Sequence, residues 1–142
     1  MKCLSRLARR MAGQGARGAV PETYDSVLTI ESKTRPGVSF VVNKISFGRR
    51  MELARRVREI SQKAEFLQAG DELQDRIEAN LLRQEVEATY LRWGLVRVDG
   101  LNIDGEPATA ERLLEKGPDD LTHEVVGAVK EQCSLTEEER KN

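Results

Sequence analysis

The residues best suited to chemistry are sparse in this sequence. It contains a single histidine, His123, and two cysteines, Cys3 and Cys133. A zinc site needs three or four His, Cys, Asp or Glu ligands that converge, and no other His or Cys lies at ligand spacing from His123. A Ser-His-Asp triad would need an activated serine, and the G-x-S-x-G motif is absent. We therefore expect no enzymatic activity, metal or cofactor, and expect His123 to be a polar position on the last helix.

Three glycine-containing motifs could bind an ion or a phosphate. Asp99-Gly100 and Asp104-Gly105 each place a carboxylate beside a flexible glycine, but apolar residues occupy the positions where a calcium loop needs acids. Residues 13–18 match G-x-G-x-x-G, but they follow no predicted strand and open no predicted helix. We interpret the two Asp-Gly steps as turns and the glycine motif as accidental.

Basic side chains are unevenly distributed, although the formal net charge is only −1. Residues 1–19 carry Lys and Arg but no acid, and the first long helix has a basic cluster: Arg49, Arg50, Arg55, Arg56, Arg58 and Lys63. Glutamates alternate with this cluster, and only 4% of the chain is aromatic, so few rings could stack on bases. We interpret the cluster as a solvated helix face; an acidic protein surface and, less favoured, nucleic acid remain alternatives.

The domain organisation follows from composition. Glycines and unpaired charges predict a basic flexible leader over residues 1–22, before one domain over residues 23–133 and a charged tail over residues 134–142. Two cysteines near opposite ends provide no disulfide framework. No segment approaches the roughly 18 consecutive apolar residues that span a membrane. We expect a cytoplasmic protein without membrane contact.

The predicted fold is α+β and mainly helical. Residues 27–30 and 38–45 are rich in β-branched residues, and the turn sequence between them predicts an N-terminal antiparallel β-hairpin. About four helices should follow as a bundle. Helical spacing predicts a buried stripe on the first helix, made of Leu53, Val57, Ile60, Ala64 and Leu67. We expect Asp71 to cap the second helix, residues 95–105 to form a loop that contains at most a small hairpin, and a short third helix to follow Thr109 and end at Gly117.

The second long helix, predicted from Asp71 to Trp93, has two apolar sides. One side holds Leu73, Ile77, Leu81, Ala88 and Leu91; the other holds Ala79, Leu82, Val86, Tyr90 and Trp93. A helix in so small a domain needs one buried stripe, so a second stripe requires a second cover. The hairpin and the other helices could bury both sides. Alternatively, part of the stripe formed by Leu82, Val86, Tyr90 and Trp93 is an exposed anchor for a partner helix or another subunit.

The order of these features resembles a known family. A strand pair is followed by Ile45-Ser46-Phe47-Gly48-Arg49-Arg50, two charged helices and Tyr90-Leu91-Arg92-Trp93-Gly94-Leu95. Next come Asp104-Gly105-Glu106-Pro107-Ala108 and a helical end that closes on Glu138-Glu139-Arg140-Lys141-Asn142. Over roughly residues 25–142, this order resembles the tail assembly chaperones of tailed phages and prophages. The basic leader departs from that pattern.

The resemblance implies a non-enzymatic protein-binding factor. Such a factor would hold the helix-rich tape measure protein during tail assembly and help to recruit tail-tube protein, without staying in the virion. A minor structural protein of a phage tail or neck is the alternative, and a small nucleic-acid-binding regulator is a third. Homo-oligomerisation is compatible with each of these functions.

Overall fold

The computed structural model describes residues 20–133. The predicted tail and all but the last three residues of the predicted leader lie outside the described residues. Within the described part, an antiparallel strand pair precedes two long helices, and short strands and two shorter helices follow them. The predicted α+β class, with an N-terminal hairpin followed by four helices, is confirmed.

The sheet begins with the predicted hairpin. Strand β1 (Val27–Glu31) pairs antiparallel with β2 (Ser39–Asn43), and Gly37 adopts a φ of 85° in the connection. Glycine tolerates this left-handed conformation because it lacks a Cβ. Phe40 and Val42 are fully buried on the face of β2 that packs in the core.

Two helices of 22 residues each, α1 (Phe47–Gln68) and α2 (Leu73–Gly94), pack antiparallel as a hairpin. Ser46 caps α1, since its hydroxyl accepts a hydrogen bond from the Arg49 N–H at 3.3 Å. The prediction that Asp71 caps α2 is wrong. The residue before the helix is Glu72, and its side chain makes no cap hydrogen bond.

The predicted stripe of α1 is only partly buried. Leu53, Val57 and Ala64 are buried, whereas Ile60 and Leu67 are half-buried. No element other than α2 packs extensively along α1 among the described residues. The stripe therefore lies along the contact with α2, and its two half-buried members lie in the half of the helix farther from the sheet.

The region after α2 departs from the expected loop. Strand β3 (Leu95–Asp99) follows α2 directly and adds to the sheet beside β2, which gives the order β1-β2-β3. Leu95 and Val98 point to the core, three positions apart, because the register of the β2–β3 pair shifts between Val41 and Val42. This irregularity disrupts the alternation that would have identified a strand.

A small hairpin follows β3, as expected. Strands β4 (Asn102–Ile103) and β5 (Glu106–Pro107) are joined by Asp104 and Gly105, whose φ angles of 51° and 81° form a tight left-handed turn. Helix α3 (Ala110–Lys116) follows Thr109 as expected, with Thr109 as its cap, and α4 (Asp119–Cys133) comes last. Both Asp-Gly steps are turns, because Gly100 also has a positive φ.

The core lies between the sheet, α4 and the halves of α1 and α2 nearest the sheet. The buried face of α4 consists of Leu121, Val125, Val126, Val129 and Cys133. These side chains pack with Phe40, Leu53 and Leu91 in one cluster. The result is a compact body from which the far half of the α1–α2 hairpin extends.

Candidate protein-binding surface

The end of α2 is fixed tightly to the body. A Cβ added at Gly94 would lie 2.3 Å from Val129 Cγ1, so α2 and α4 approach too closely for any side chain there. The Asn43 side-chain amide donates a hydrogen bond to the Trp93 carbonyl at 3.2 Å. The Lys130 ammonium pairs with Glu87 and also lies 5.5 Å from the centre of the Tyr90 ring. Sheet and α4 together anchor the last turns of α2.

The first half of α2 lacks this cover. Leu73, Ile77 and Leu81 are 73%, 53% and 59% exposed, and we call this set the distal stripe. In contrast, Leu91 is fully buried, although helical periodicity places it on the same side of α2 as Leu73. Along a single side of one helix, the apolar surface is therefore covered at one end and open to solvent at the other.

Polar residues border the distal stripe in a defined pattern. At 100° per residue, Arg76 and Arg83 lie on one flank, and Glu78 and Glu85 lie on the opposite flank. Arg83 donates a hydrogen bond to the Asn80 side chain at 3.1 Å. The surface combines an apolar centre with one basic and one acidic border, which is the arrangement that an amphipathic partner helix could match.

The four residues predicted as a partner anchor lie mainly between α2 and the rest of the protein. Tyr90 is 1% exposed, so its side chain is inaccessible in this structure. Leu82, Val86 and Trp93 are half-buried, and both Val86 and Trp93 pack against the core cluster. Contact of this set with a partner stays a prediction. The distal stripe, on the other apolar side of the same helix, is the more exposed surface.

Trp93 borders a groove between α1 and α2. The groove encloses about 350 Å³ and is lined by Arg56, Glu59, Ile60, Thr89, Arg92 and Trp93. The Arg49 guanidinium lies 6.0 Å from the centre of the Trp93 ring. The Arg92 Nε donates to the Glu111 carboxylate at 2.7 Å, and this hydrogen bond raises the pKa of Arg92 above its ordinary value. The groove thus has basic and acidic side chains around the single indole ring of Trp93.

The basic cluster of α1 is largely solvated. Arg49, Arg55, Arg56 and Lys63 are exposed, and Arg50 and Arg58 are half-buried. Arg56 pairs with Glu52 across one turn at 2.7 Å, with both side chains more than half exposed. Such exposed pairs contribute little to stability, and this arrangement favours the solvated-face interpretation.

Sequence reasoning missed a polar contact between the sheet and α4. The Glu124 carboxylate accepts hydrogen bonds from the Ser32 and Thr34 hydroxyls, each at 2.7 Å, and from the Lys33 and Thr34 N–H groups. Partial burial acts to raise the pKa of Glu124, but the hydrogen bonds outweigh it and hold the pKa below its ordinary value of 4.5. Arg35 pairs with Asp120 beside it at 3.2 Å. The partners lie far apart in the sequence, so no local pattern indicated this contact.

Two reactive side chains singled out in the sequence, Cys133 and His123, both lie on α4. Burial raises the pKa of the Cys133 thiol to about 11, which suppresses the reactive thiolate at neutral pH. His123 Nδ1 lies 2.8 Å from the Asp119 carbonyl oxygen on the exposed side of α4. Over residues 20–133, no group of three or more His, Cys, Asp or Glu residues could hold a metal ion. No helix in that range is long and apolar enough to cross a membrane.

The chain was compared with protein families, curated proteins and solved structures. A scan of protein-family models and searches of curated proteins and solved structures found no significant match.

Proposed function

We propose that this chain is a non-enzymatic cytoplasmic factor that binds a helical segment of another protein along the distal stripe. The supporting observation is the exposure of Leu73, Ile77 and Leu81 on one side of a helix whose continuation is buried. An exposed apolar patch bordered by polar residues is typical of a protein-interaction surface. A helix laid along α2 would cover the stripe as α4 covers the end of the same helix.

The client we propose is the tape measure protein of a phage or prophage tail, with tail-tube protein as a second partner. The resemblance to tail assembly chaperones supports this choice. A long apolar client helix needs temporary cover before assembly, and a charged surface would keep the complex in solution. We also propose a second contact in the same function, made by the accessible parts of Leu82 and Val86 and by Trp93, which lines the groove.

Co-expression with the tape measure protein of the same phage, followed by affinity capture, tests the proposal. Ile77→Asp should lose most client capture, because a charge at the centre of the distal stripe would be buried without a partner in the complex. Val96→Asp is the matched control, since Val96 is a comparably exposed aliphatic residue (47%) on β3. Circular dichroism should show the native fold in both variants.

Each alternative gives a different result. If Trp93→Asp keeps the native circular dichroism spectrum but abolishes capture, and Ile77→Asp does not, the client site is the groove and the distal stripe is not the contact. Equal capture by the unmodified protein and both of these variants would refute both surfaces. If the unmodified protein captures no tail protein and is found in purified particles, the structural alternative replaces the chaperone proposal.

A further inference from the structure

The two edges of the sheet differ in how they are protected. Strand β3 carries Arg97 and Asp99, which pair with each other at 3.1 Å, and its pairing with β2 is irregular. Charges and bulges are the features by which proteins block the edges of their sheets. Strand β1 carries a charge only at its last residue, Glu31; it has no charge over Val27-Leu28-Thr29-Ile30, has no bulge, and pairs regularly with β2 throughout. Among the described residues, no strand pairs with its other side.

Two backbone hydrogen bonds identify which groups of β1 face the open edge. The Lys44 N–H donates to the Ser26 carbonyl, and the Ser32 N–H donates to the Val38 carbonyl, both at 2.9 Å. Backbone direction alternates along an antiparallel strand, so even-numbered residues of β1 bond to β2. The N–H and C=O groups of Val27, Thr29 and Glu31 therefore face outward.

We propose that this edge binds a second copy of the chain, through antiparallel pairing of the two β1 strands about a two-fold axis at Thr29. In this register Thr29 lies opposite Thr29 of the partner subunit, and Val27 lies opposite Glu31 of the partner subunit. All three outward residues of each strand then gain backbone partners. The two sheets become one sheet of about six strands, which removes the unprotected edge.

The side chains are compatible with this register. On the core face, half-buried Leu28 lies opposite Ile30 of the partner subunit, so each strand extends the apolar cover of the other. Just beyond the strand ends, Asp25 lies near Lys33 of the partner subunit, which places opposite charges together twice. A register shifted by two residues in one direction would place Asp25 opposite Glu31 of the partner subunit. Two negative charges would then face each other, which disfavours that register.

Exposed apolar residues add to the argument for a second copy. Val20, Tyr24 and Val27 are 85%, 70% and 37% exposed, and all three lie on β1 or in the segment directly before it. A two-fold interface brings both copies of this segment to the same edge. The proposal is independent of client binding, because it uses a different surface from α2.

Sedimentation equilibrium of the full chain over a micromolar concentration series tests the proposal. The unmodified protein should be a dimer at the upper concentrations. Thr29→Lys should be a monomer, because it places two ammonium groups opposite each other at the axis, and Val96→Lys on the protected edge should remain a dimer. Thr29→Pro should also be a monomer with an unchanged fold, since the lost N–H faces outward and makes no bond to β2.

A charge exchange tests the register. Asp25→Lys alone should weaken the dimer at least about tenfold by opposing two lysines, and adding Lys33→Asp should restore the affinity. A monomeric unmodified protein at all concentrations would overturn the proposal. A dimer that survives both Thr29→Lys and Thr29→Pro would overturn it as well, by placing the interface elsewhere.

Discussion

The two halves of α2 show how the same helical pattern acquires different roles. Leu73 and Leu91 lie about five helical turns apart, so they point in nearly the same direction from the helix axis. Leu91 is fully buried, whereas Leu73 is 73% exposed. The difference comes from the neighbours: within residues 20–133, the sheet, α3 and α4 pack beside the second half of the helix. One half of α2 thus stabilises the fold, and the other is open for binding.

The largest effect should come from truncating the two leucines in parallel. Leu91→Ala should lower the free energy of unfolding by about 2–5 kcal/mol, because it removes a fully buried side chain and leaves a cavity. Leu73→Ala should cost less than about 0.5 kcal/mol, which is typical of a surface position. Urea denaturation of both variants measures the difference. Similar losses would contradict the assignment of separate roles to the two halves of α2.

A smaller effect is expected at the contact that anchors the end of α2. Gly94→Ala should destabilise the fold by about 1–3 kcal/mol, since the new methyl group overlaps the Val129 side chain and forces α2 and α4 apart. Gly48→Ala is the control, because a Cβ there meets no atom within 4 Å. Pairing Gly94→Ala with Val129→Ala should recover part of the loss from overlap. No recovery would show that overlap with Val129 is not the cause.

The smallest effect concerns the hydrogen bonds between Glu124 on α4 and the β1–β2 connection. Glu124→Gln should cost about 1 kcal/mol at pH 7, after allowing for its solvent exposure. The folded protein holds the pKa of Glu124 below 4.5, so the unfolded chain takes up the proton first as the pH falls. The stabilisation is therefore complete above about pH 5 and is lost as the pH falls through the folded-state pKa.

Thermal unfolding at several pH values measures this dependence. The stability difference between the unmodified protein and Glu124→Gln should shrink in acid. The control, Glu115→Gln on the exposed side of α3, should leave the stability unchanged at each pH. A difference that stays constant down to pH 3 would mean that the Glu124 charge does not hold the β1–β2 connection.

Local sequence signals predicted most elements, and tertiary contacts account for the errors. Ser and Thr hydroxyls cap helices through bonds within one turn, so Thr109 could be identified as a cap from its neighbours alone. The same reasoning failed at Asp71, because the chain turns into α2 one residue later, at Glu72. Strand β3 was missed because its place in the sheet depends on β2, which lies more than fifty positions earlier.

The candidate surface illustrates the same division. The sequence identified two apolar stripes on α2. The helical spacing of Leu73, Ile77 and Leu81 already placed the distal stripe on one of them, but it did not show that these residues are exposed. Of the two interpretations, burial of both sides or an exposed anchor, the second named the stripe with Tyr90 and Trp93, and large aromatic residues are common in binding sites. Large aromatic residues also fill cores, and the structure buries Tyr90.

The sequence by itself determined where the chain forms its helices and its first two strands, where glycine and Asp-Gly turns interrupt them, and which faces are apolar. Periodicity and capping are properties of residues within a few positions of one another, so they can be read locally. Tertiary structure alone decided that β3 completes the sheet, that Glu124 holds the β1–β2 connection, and that half of one stripe on α2 stays uncovered. Burial depends on neighbours that are distant in sequence, and an apolar pattern does not specify which neighbour will cover it.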